Sequence, residues 1–594
     1  MTAHRVTRGF AWNHLYKMVE YGGLNLYTIL VVRKFGPEIG GNYAVYLSIS
    51  GTLAILSAFA VDGVLLRYLP RIARGESQIG TSKIEGIRPF LLQLFAFRLL
   101  VTTVLSALVM LVLGVLPSFI PSLGASLGSI GRLWPYFVIF LFGQAGVAFG
   151  TFTMIGLLQV RWVFFASLTT RFSVLAVGLV LILTSTLTLE NAVALSAVAA
   201  VLNAMLLLYW VNRHVHRESS VGLRKEAAAF AGYVMTFIRK PGYLRVFIVM
   251  PFMLYGITTW GSDVLGTVLG RQPDILMMRA MLGENARDIG LYESAARLVL
   301  ATEYIFLLGL GGTLVSVFSE LVHRDEAELG IRNEELGMRK DSLIPEENIP
   351  NSSFLIPNSE TIPNSSFLIP NSENIPNSRT YPRLLAARRE IAGFQSVSTA
   401  PVFAFMLVFA PLVIQAIYGY RFAGAAPMIV AGLSILLVAV IVFGGGMQIT
   451  SLVVIGKERA VFKNRLTWGI LNLIANYFLI KGYGGLGAMI GTQLANAGAC
   501  MVESYLAYKW IGPSFSVSHT ARILAIVSVA IAITYYGVSL LPPATPALLR
   551  VSIGGIVAAL LTIAGYTVFK VPEAKKVFDR LRGLLRRESL EPIV

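Results

Sequence analysis

The chain has 594 residues, 55% of them hydrophobic and only 14% charged, with a net charge of +17 and one cysteine, Cys500. A soluble domain carries about 25% charged residues, so this composition excludes a surface that mostly faces water. One cysteine excludes an intramolecular disulfide and a cysteine metal cluster, and basic residues confined to loops between apolar runs argue against nucleic acid as a partner.

The first residues do not read as a cleavable signal peptide. His4, Arg5 and Arg8 form a basic flank, but Lys17 and Glu20 interrupt the apolar stretch that follows. Apolar runs predict spans at 10–32, 43–66, 90–116, 136–158, 163–183 and 192–211. A polar basic stretch covers 212–245. Further spans are predicted at 246–269, 289–321, 400–417, 425–454, 466–480, 486–508, 523–541 and 548–569. The fold class is therefore all-α integral membrane, with about 14 transmembrane helices. The first span is amphipathic. The seventh extends past Arg271 toward Leu282 as a broken helix.

Loop charge tests that count. With the N-terminus inside, most of the 49 Lys and Arg fall in inside loops, as the cost of moving cations across a bilayer requires. Both termini are then cytoplasmic.

Within residues 325–382 lies a low-complexity segment. Ile-Pro-Asn-Ser occurs five times, starting at 349, 356, 362, 369 and 375. Repeated proline blocks helix and central strand, and the segment has little to bury, so it reads as a solvated cytoplasmic insert.

Two patterns recur. Arg33-Lys34-Phe35-Gly36 leading to Gly41-Asn42-Tyr43 is echoed by Arg279-Ala280-Met281-Leu282-Gly283 leading to Gly290-Leu291-Tyr292, 249 residues on. Arg161-Trp162-Val163-Phe164 is echoed by Arg459-Ala460-Val461-Phe462, 298 residues on. These echoes predict two six-helix lobes in tandem repeat plus a final helix pair. The lobes cover 1–211 and 246–510, joined by the linker 212–245. The last pair occupies 520–570, and a tail covers 571–594. Val577, Leu581, Leu584 and Leu585 among basic residues predict that the tail is an amphipathic helix on the anionic inner leaflet. A tandem repeat of even-numbered spans is a transporter design, two bundles about a central cavity.

Several stretches resemble a known family. They are Arg33-Lys34-Phe35-Gly36-Pro37-Glu38, Asp62-Gly63-Val64-Leu65-Leu66-Arg67-Tyr68-Leu69-Pro70, Gly290-Leu291-Tyr292-Glu293-Ser294-Ala295-Ala296-Arg297-Leu298, Tyr418-Gly419-Tyr420-Arg421-Phe422 and Lys481-Gly482-Tyr483-Gly484-Gly485. In order and place they resemble the polysaccharide transporter family of the multidrug/oligosaccharidyl-lipid/polysaccharide exporter superfamily. The resemblance implies a flippase for lipid-linked oligosaccharide, commonly on undecaprenyl diphosphate, in the bacterial inner membrane. It implies membrane lipids and a lipid-linked glycan as partners, with a polysaccharide polymerase or glycosyltransferase as further ones. The insert departs from the family pattern. So does Arg271-Gln272-Pro273 ahead of Asp274, which kinks or ends the seventh span.

Ionisable residues at membrane depth are functional candidates. A diphosphate must be desolvated to cross, and fixed guanidinium or ammonium groups offset that cost. The resemblance places spans one and eight along the cavity, so Lys17 and Arg297 are the first candidates. Arg279, Arg98 and Arg171 join them as cationic cavity residues. Glu20, Asp62, Asp274 and Glu303 are candidates for a coupling proton or sodium. The competing reading is pairing that fixes helix packing, for Lys17 with Glu20, for Glu293 with Arg297 four residues on, and for Arg98 and Arg171. The six histidines show no metal-ligand spacing and no glycine loop cradles a phosphate, so no metal, no cofactor and no ATP use are expected. Gly309, Gly311 and Gly312, like residues 444–446, read as close helix packing.

Three function classes compete: the flippase, a drug or ion antiporter of the related exporter branch, and a membrane-embedded glycosyltransferase. The outside loops at 118–135 and 270–288 are too small to house the third, so no enzyme is expected.

Overall fold

The computed structural model describes residues 25–73, 86–119, 128–157, 159–215, 223–240, 250–268, 270–283, 286–307, 381–514 and 517–575, with a few isolated positions between them. Lys17, Glu20, most of the insert, Gly309, Gly311, Gly312 and the tail beyond Lys575 lie outside the described residues.

The fold is all-α apart from a small hairpin, Gln78–Ile79 with Ser82–Lys83. We number the helices α1 (25–35), α2 (Pro37–Ala58), α3 (Val61–Ile72), α4 (Ile87–Val109), α5 (Trp134–Gly156), α6 (Val160–Leu183), α7 (Leu189–Val215) and α8 (Leu223–Arg239). There follow α9 (Pro251–Val268), α10 (Arg271–Leu282), α11 (Ala286–Leu307), α12 (Pro382–Tyr418), α13 (Ala426–Leu437), α14 (Gly446–Val454), α15 (Glu458–Trp510), α16 (Val517–Ser539) and α17 (Ala547–Val568).

Among the described residues, ten helical stretches are long and apolar enough to cross a membrane. One of them, α15, folds back at Gly484, whose φ of 56° lies in the left-handed region that glycine tolerates, and so supplies two of the expected spans. The expected eighth span, α11, is outside that set because it carries Arg287, Asp288, Glu293 and Arg297 among its apolar residues. The expected seventh is broken, as read from sequence: α9 stops at Val268 and α10 starts at Arg271 with Pro273 in its first turn, where a missing N–H costs nothing.

The tandem repeat is visible in the helix boundaries. Helices α2 and α11 have 22 residues each and start at Pro37 and Ala286, 249 residues apart. Helices α6 and α15 start at Val160 and Glu458, 298 apart, and α5 and α14 end at Gly156 and Val454, again 298 apart. The contact between α2 and α11 is reciprocal. A Cβ added to Gly41 would lie 1.8 Å from the Ala286 carbonyl oxygen, and one added to Gly290 would lie 2.0 Å from that of Pro37. Each glycine thus meets the repeat equivalent of the residue its counterpart meets, the signature of a two-fold relation. Within the first lobe, Gly143, Gly146 and Gly150 of α5 seat against Ala200, Ala204 and Leu207 of α7 with no room for a side chain. Small residues permit such approach where lipid supplies no hydrophobic drive.

Two expectations need refinement. Residues 212–245 are more than a polar linker, because α8 buries Phe237 and packs Phe230 against α4. Residues 444–446 do not serve close helix packing. Gly444 and Gly445 take φ of 79° and 50° and end a π-helical turn at Val438–Val442, so they break the tenth span. Arg388 of α12 is 1% exposed. It donates to Gln448 Oε1 (2.5 Å), the Gly512 carbonyl (3.2 Å) and Ser514 Oγ (3.3 Å), tying α12 to that break and to the turn after α15.

The two ends of the insert are pinned together. Phe318, Leu321 and Val322 form a core with Tyr381 and Leu384, and Asp325 accepts the Leu384 N–H at 3.3 Å. Replacing residues 327–379 by a short Gly-Ser linker is therefore expected to shift the thermal midpoint by no more than about 2 °C, since loop-closure entropy grows only with the logarithm of length. A loss beyond about 10 °C would show that the segment is built into the lobe.

Candidate functional site

Among the buried polar clusters between the described helices, three hold residues expected at the site. The first lies where the lobes meet. Arg297 and Glu293 sit one turn apart on α11 and pair at 2.6 Å, and Arg271, at the start of α10, reaches the same Glu293 oxygen at 3.3 Å. Arg297 also donates to Asn25 Oδ1 of α1 at 2.9 Å, a contact between lobes. Arg297 and Glu293 are 5% and 3% exposed, Arg271 26%. Two guanidiniums thus reach one carboxylate where hydration is poor. Tyr43 lies in the field of both Arg297 and Arg171, and Tyr418 in that of Arg297, Glu293 and Arg271.

The second centre is in the second lobe. Asp274 of α10 is fully buried. Its Oδ1 accepts from Asn476 Nδ2 at 2.7 Å, and Thr492 Oγ1 lies 2.9 and 2.7 Å from its two oxygens. Tyr292 donates to Oδ2. Asn472 Oδ1 stands 3.1 Å from Asn476 Nδ2 and 3.3 Å from the Thr492 hydroxyl. The Asn476 Oδ1 atom has no hydrogen-bond partner among the described residues. The carboxylate is satisfied by amide N–H, hydroxyl and phenol donors, and the Asn472 and Asn476 carbonyl oxygens stand close by. Asn472 and Asn476 lie four apart on the first limb of α15, and Gly491 on the returning limb leaves the space that Asn476 fills.

The third centre, in the first lobe, joins Arg98 of α4 to Asp62 of α3 in an ion pair, with Arg98 1% exposed. Two of the expected site residues thus pair with each other. Arg98→Ala, which strands the carboxylate, is expected to cost about 3–5 kcal/mol of stability. The double change Arg98→Leu with Asp62→Leu should recover most of it, read as thermal midpoints of the purified variants. Equal losses in both would show that the pair is not coupled.

Arg297 and Arg171 both lie in electrostatic reach of Tyr43, and Asp274 stands at the other centre. Arg279 is not gathered with them. It donates to the Gly283 carbonyl at 3.2 Å and caps the exposed end of its own helix. The Glu303 side chain, like Lys17 and Glu20, lies outside the described residues. Sequence reasoning missed Arg271, Asn25, Tyr292, Asn472, Asn476 and Thr492. The usable signal was the Asn pair at helical spacing inside an apolar span.

On the side away from the basic loops the lobes are tied together. Arg33, at the end of α1, donates to the Ala416 and Ile417 carbonyls at 3.2 Å each, capping α12. Glu38 and Arg287 approach to 4.0 Å beside the reciprocal glycine contact.

An apolar groove of about 380 Å³ runs between α12, α13 and α16, lined by Ala404, Leu407, Leu437, Val527 and Ile531. Val408 and Tyr535 at its rim are exposed.

No protein-family model matches the chain, and no curated protein matches it by sequence. Solved structures do match. The lipid II flippase MurJ, in an inward closed conformation, superposes with a TM-score of 0.58 at 12% identity, covering 93% of this chain and 99% of that one. A multidrug resistance MATE family transporter of the MOP superfamily, inward-facing, gives a TM-score of 0.51 at 15% identity, covering 82% and 93%. The chain is a multi-pass membrane protein with the fold shared by the MurJ flippase and MATE transporters.

Proposed function

We propose that this protein is a secondary transporter, not an enzyme, that flips a lipid-linked oligosaccharide by alternating access. The substrate is a sugar on a polyprenyl diphosphate, moved across the bacterial inner membrane for polysaccharide, O-antigen or cell-wall assembly. One observation carries the reading. Arg297 and Arg271 both reach Glu293 at the meeting of the lobes, two guanidiniums placed to suit a diphosphate. Arg171, and Lys17 on the first span, extend that cationic lining in this reading. The apolar groove suits a polyprenyl chain, and the Asp274 centre suits a coupling ion. The lobes at 1–211 and 246–510 are the moving bodies, both termini are cytoplasmic, and a polymerase or glycosyltransferase is the natural partner.

A multidrug or cation antiporter is the second reading, favoured by the Asp274 centre, which needs no anionic substrate. Reconstituted vesicles separate the two. Arg297→Ala and Lys17→Ala are each expected to lower translocation of a lipid-linked oligosaccharide at least about tenfold, in line with loss of a charge-assisted contact. Unchanged transport in both would overturn the cationic site. Export of an organic cation, with no glycan translocation by the wild type, would favour the antiporter.

A further inference from the structure

The two lobes carry matched clusters of indoles and cations at their outer corners, on the side of the basic loops. In the first lobe, Trp162 near the start of α6 stacks on Trp210 near the end of α7, with ring centroids 3.6 Å apart and planes 21° apart. The Arg161 guanidinium lies 5.0 Å over the Trp162 ring, and that of Arg213 lies 5.5 Å over Trp210. In the second lobe the corresponding corner is the start and end of α15, by the 298-residue offset. There Lys457 Nζ stands 3.8 Å over the Trp510 ring and Lys509 Nζ 5.7 Å from it. Among the described residues, no carboxylate lies within ion-pair distance of Arg161, Arg213 or Lys509.

Each cluster crowns a stripe that faces lipid. Leu202 and Met205 on α7 are 49% and 62% exposed, and Met501 and Tyr505 on α15 are 48% and 64% exposed. Indoles favour the headgroup level of a bilayer. A guanidinium lying on an indole keeps its N–H groups at its edge, where they can meet a phosphate in its own plane; Arg213 gives one of them to the Tyr209 hydroxyl at 3.2 Å. The geometry points to two matched binding sites for the phosphate of an anionic phospholipid, one on each lobe, with its acyl chains along the stripe below. A zwitterionic lipid fits less well at the first cluster, where among the described residues no carboxylate lies within ion-pair distance of Arg161 or Arg213. A free phosphate has no chains to lay on the stripe. Both sites lie outside the Arg297 centre and do not depend on which substrate is carried. They fasten equivalent corners of the two lobes to the same leaflet while the lobes move.

Native mass spectrometry of the purified full-length protein, titrated with phosphatidylglycerol or phosphatidylcholine, tests this. Arg161→Gln with Arg213→Gln, and separately Lys457→Gln with Lys509→Gln, are each expected to weaken one bound phosphatidylglycerol about tenfold, and all four changes both. Arg161→Lys with Arg213→Lys keeps the charge and should retain its lipid within about threefold, which separates a lost site from a damaged fold. Equal phosphatidylglycerol retention by the fourfold variant and the wild type would overturn the proposal. So would equal retention of phosphatidylcholine, or displacement of the lipid by millimolar inorganic phosphate.

Discussion

Gly41→Leu is expected to abolish most transport while leaving the chain folded in the membrane, and Gly290→Leu is expected to do the same. At both positions the neighbouring helix backbone occupies the place of a side chain, with carbonyl oxygens 1.8 and 2.0 Å from an added Cβ. A side chain there parts α2 from α11 at the rim away from the basic loops. Overpacking of this kind costs about 1–3 kcal/mol. Within one lobe that cost would only destabilise. Between lobes that rock, it shifts a conformational equilibrium, and about 2 kcal/mol moves such an equilibrium some thirtyfold. The state closed on that rim is disfavoured, so the cycle stalls open. Ser48 on α2 is 3% exposed, so Ser48→Cys in a Cys500→Ser background reports on that rim. A membrane-impermeant thiol reagent should label it faster once either glycine is replaced. Because the contact is reciprocal, the two substitutions must act alike. Wild-type transport and labelling in both would show that the contact is a static seam, and a strong effect of only one would deny the two-fold relation.

Much of this was legible in the sequence, for reasons that differ by residue. The echo between Gly41-Asn42-Tyr43 and Gly290-Leu291-Tyr292 marked equivalent positions, and close packing of backbones is a reason for glycine to stand at both. Glu293 with Arg297 was readable because four residues make one helical turn, which fixes neighbours without any tertiary knowledge. The partners of Arg98 and Asp274 were not readable. A charge inside a span announces that it needs a partner, but the partner comes from another helix. Arg98 reaches Asp62, 36 residues earlier in the chain. Asp274 reaches Thr492, 218 residues later. Neutral residues hid best. Asn472, Asn476 and Thr492 carry no charge to mark them at membrane depth, and only the carboxylate they surround gives them meaning. Arg388 hid as well: three neutral acceptors, at the break in the tenth span and in the turn after α15, hold it in the interior.

Asp274→Asn should uncouple transport from its driving ion, and this is the second large effect expected. The change keeps the shape of the side chain and removes its charge. In the wild type that charge sits fully buried among Asn472, Asn476, Thr492 and Tyr292. A cation bound only by the folded protein stabilises it by RT ln(1 + [L]/Kd), about 1.4 kcal/mol when the ion is tenfold above its Kd. Sodium chloride, matched against choline chloride at equal ionic strength, should therefore raise the thermal midpoint of the wild type by a few degrees. Asp274→Asn should abolish that rise, and Thr492→Val or Asn476→Leu should weaken it. A sodium gradient should then drive translocation by the wild type and not by Asp274→Asn. If sodium does nothing to the wild type but a pH gradient drives it, the carboxylate carries a proton, and Thr492→Val, which removes an oxygen ligand but no acid, should leave transport nearly intact. Full gradient-driven transport by Asp274→Asn would remove the coupling role altogether. The buried carboxylate would then be a packing device that helps hold the broken helix α9–α10 against α15.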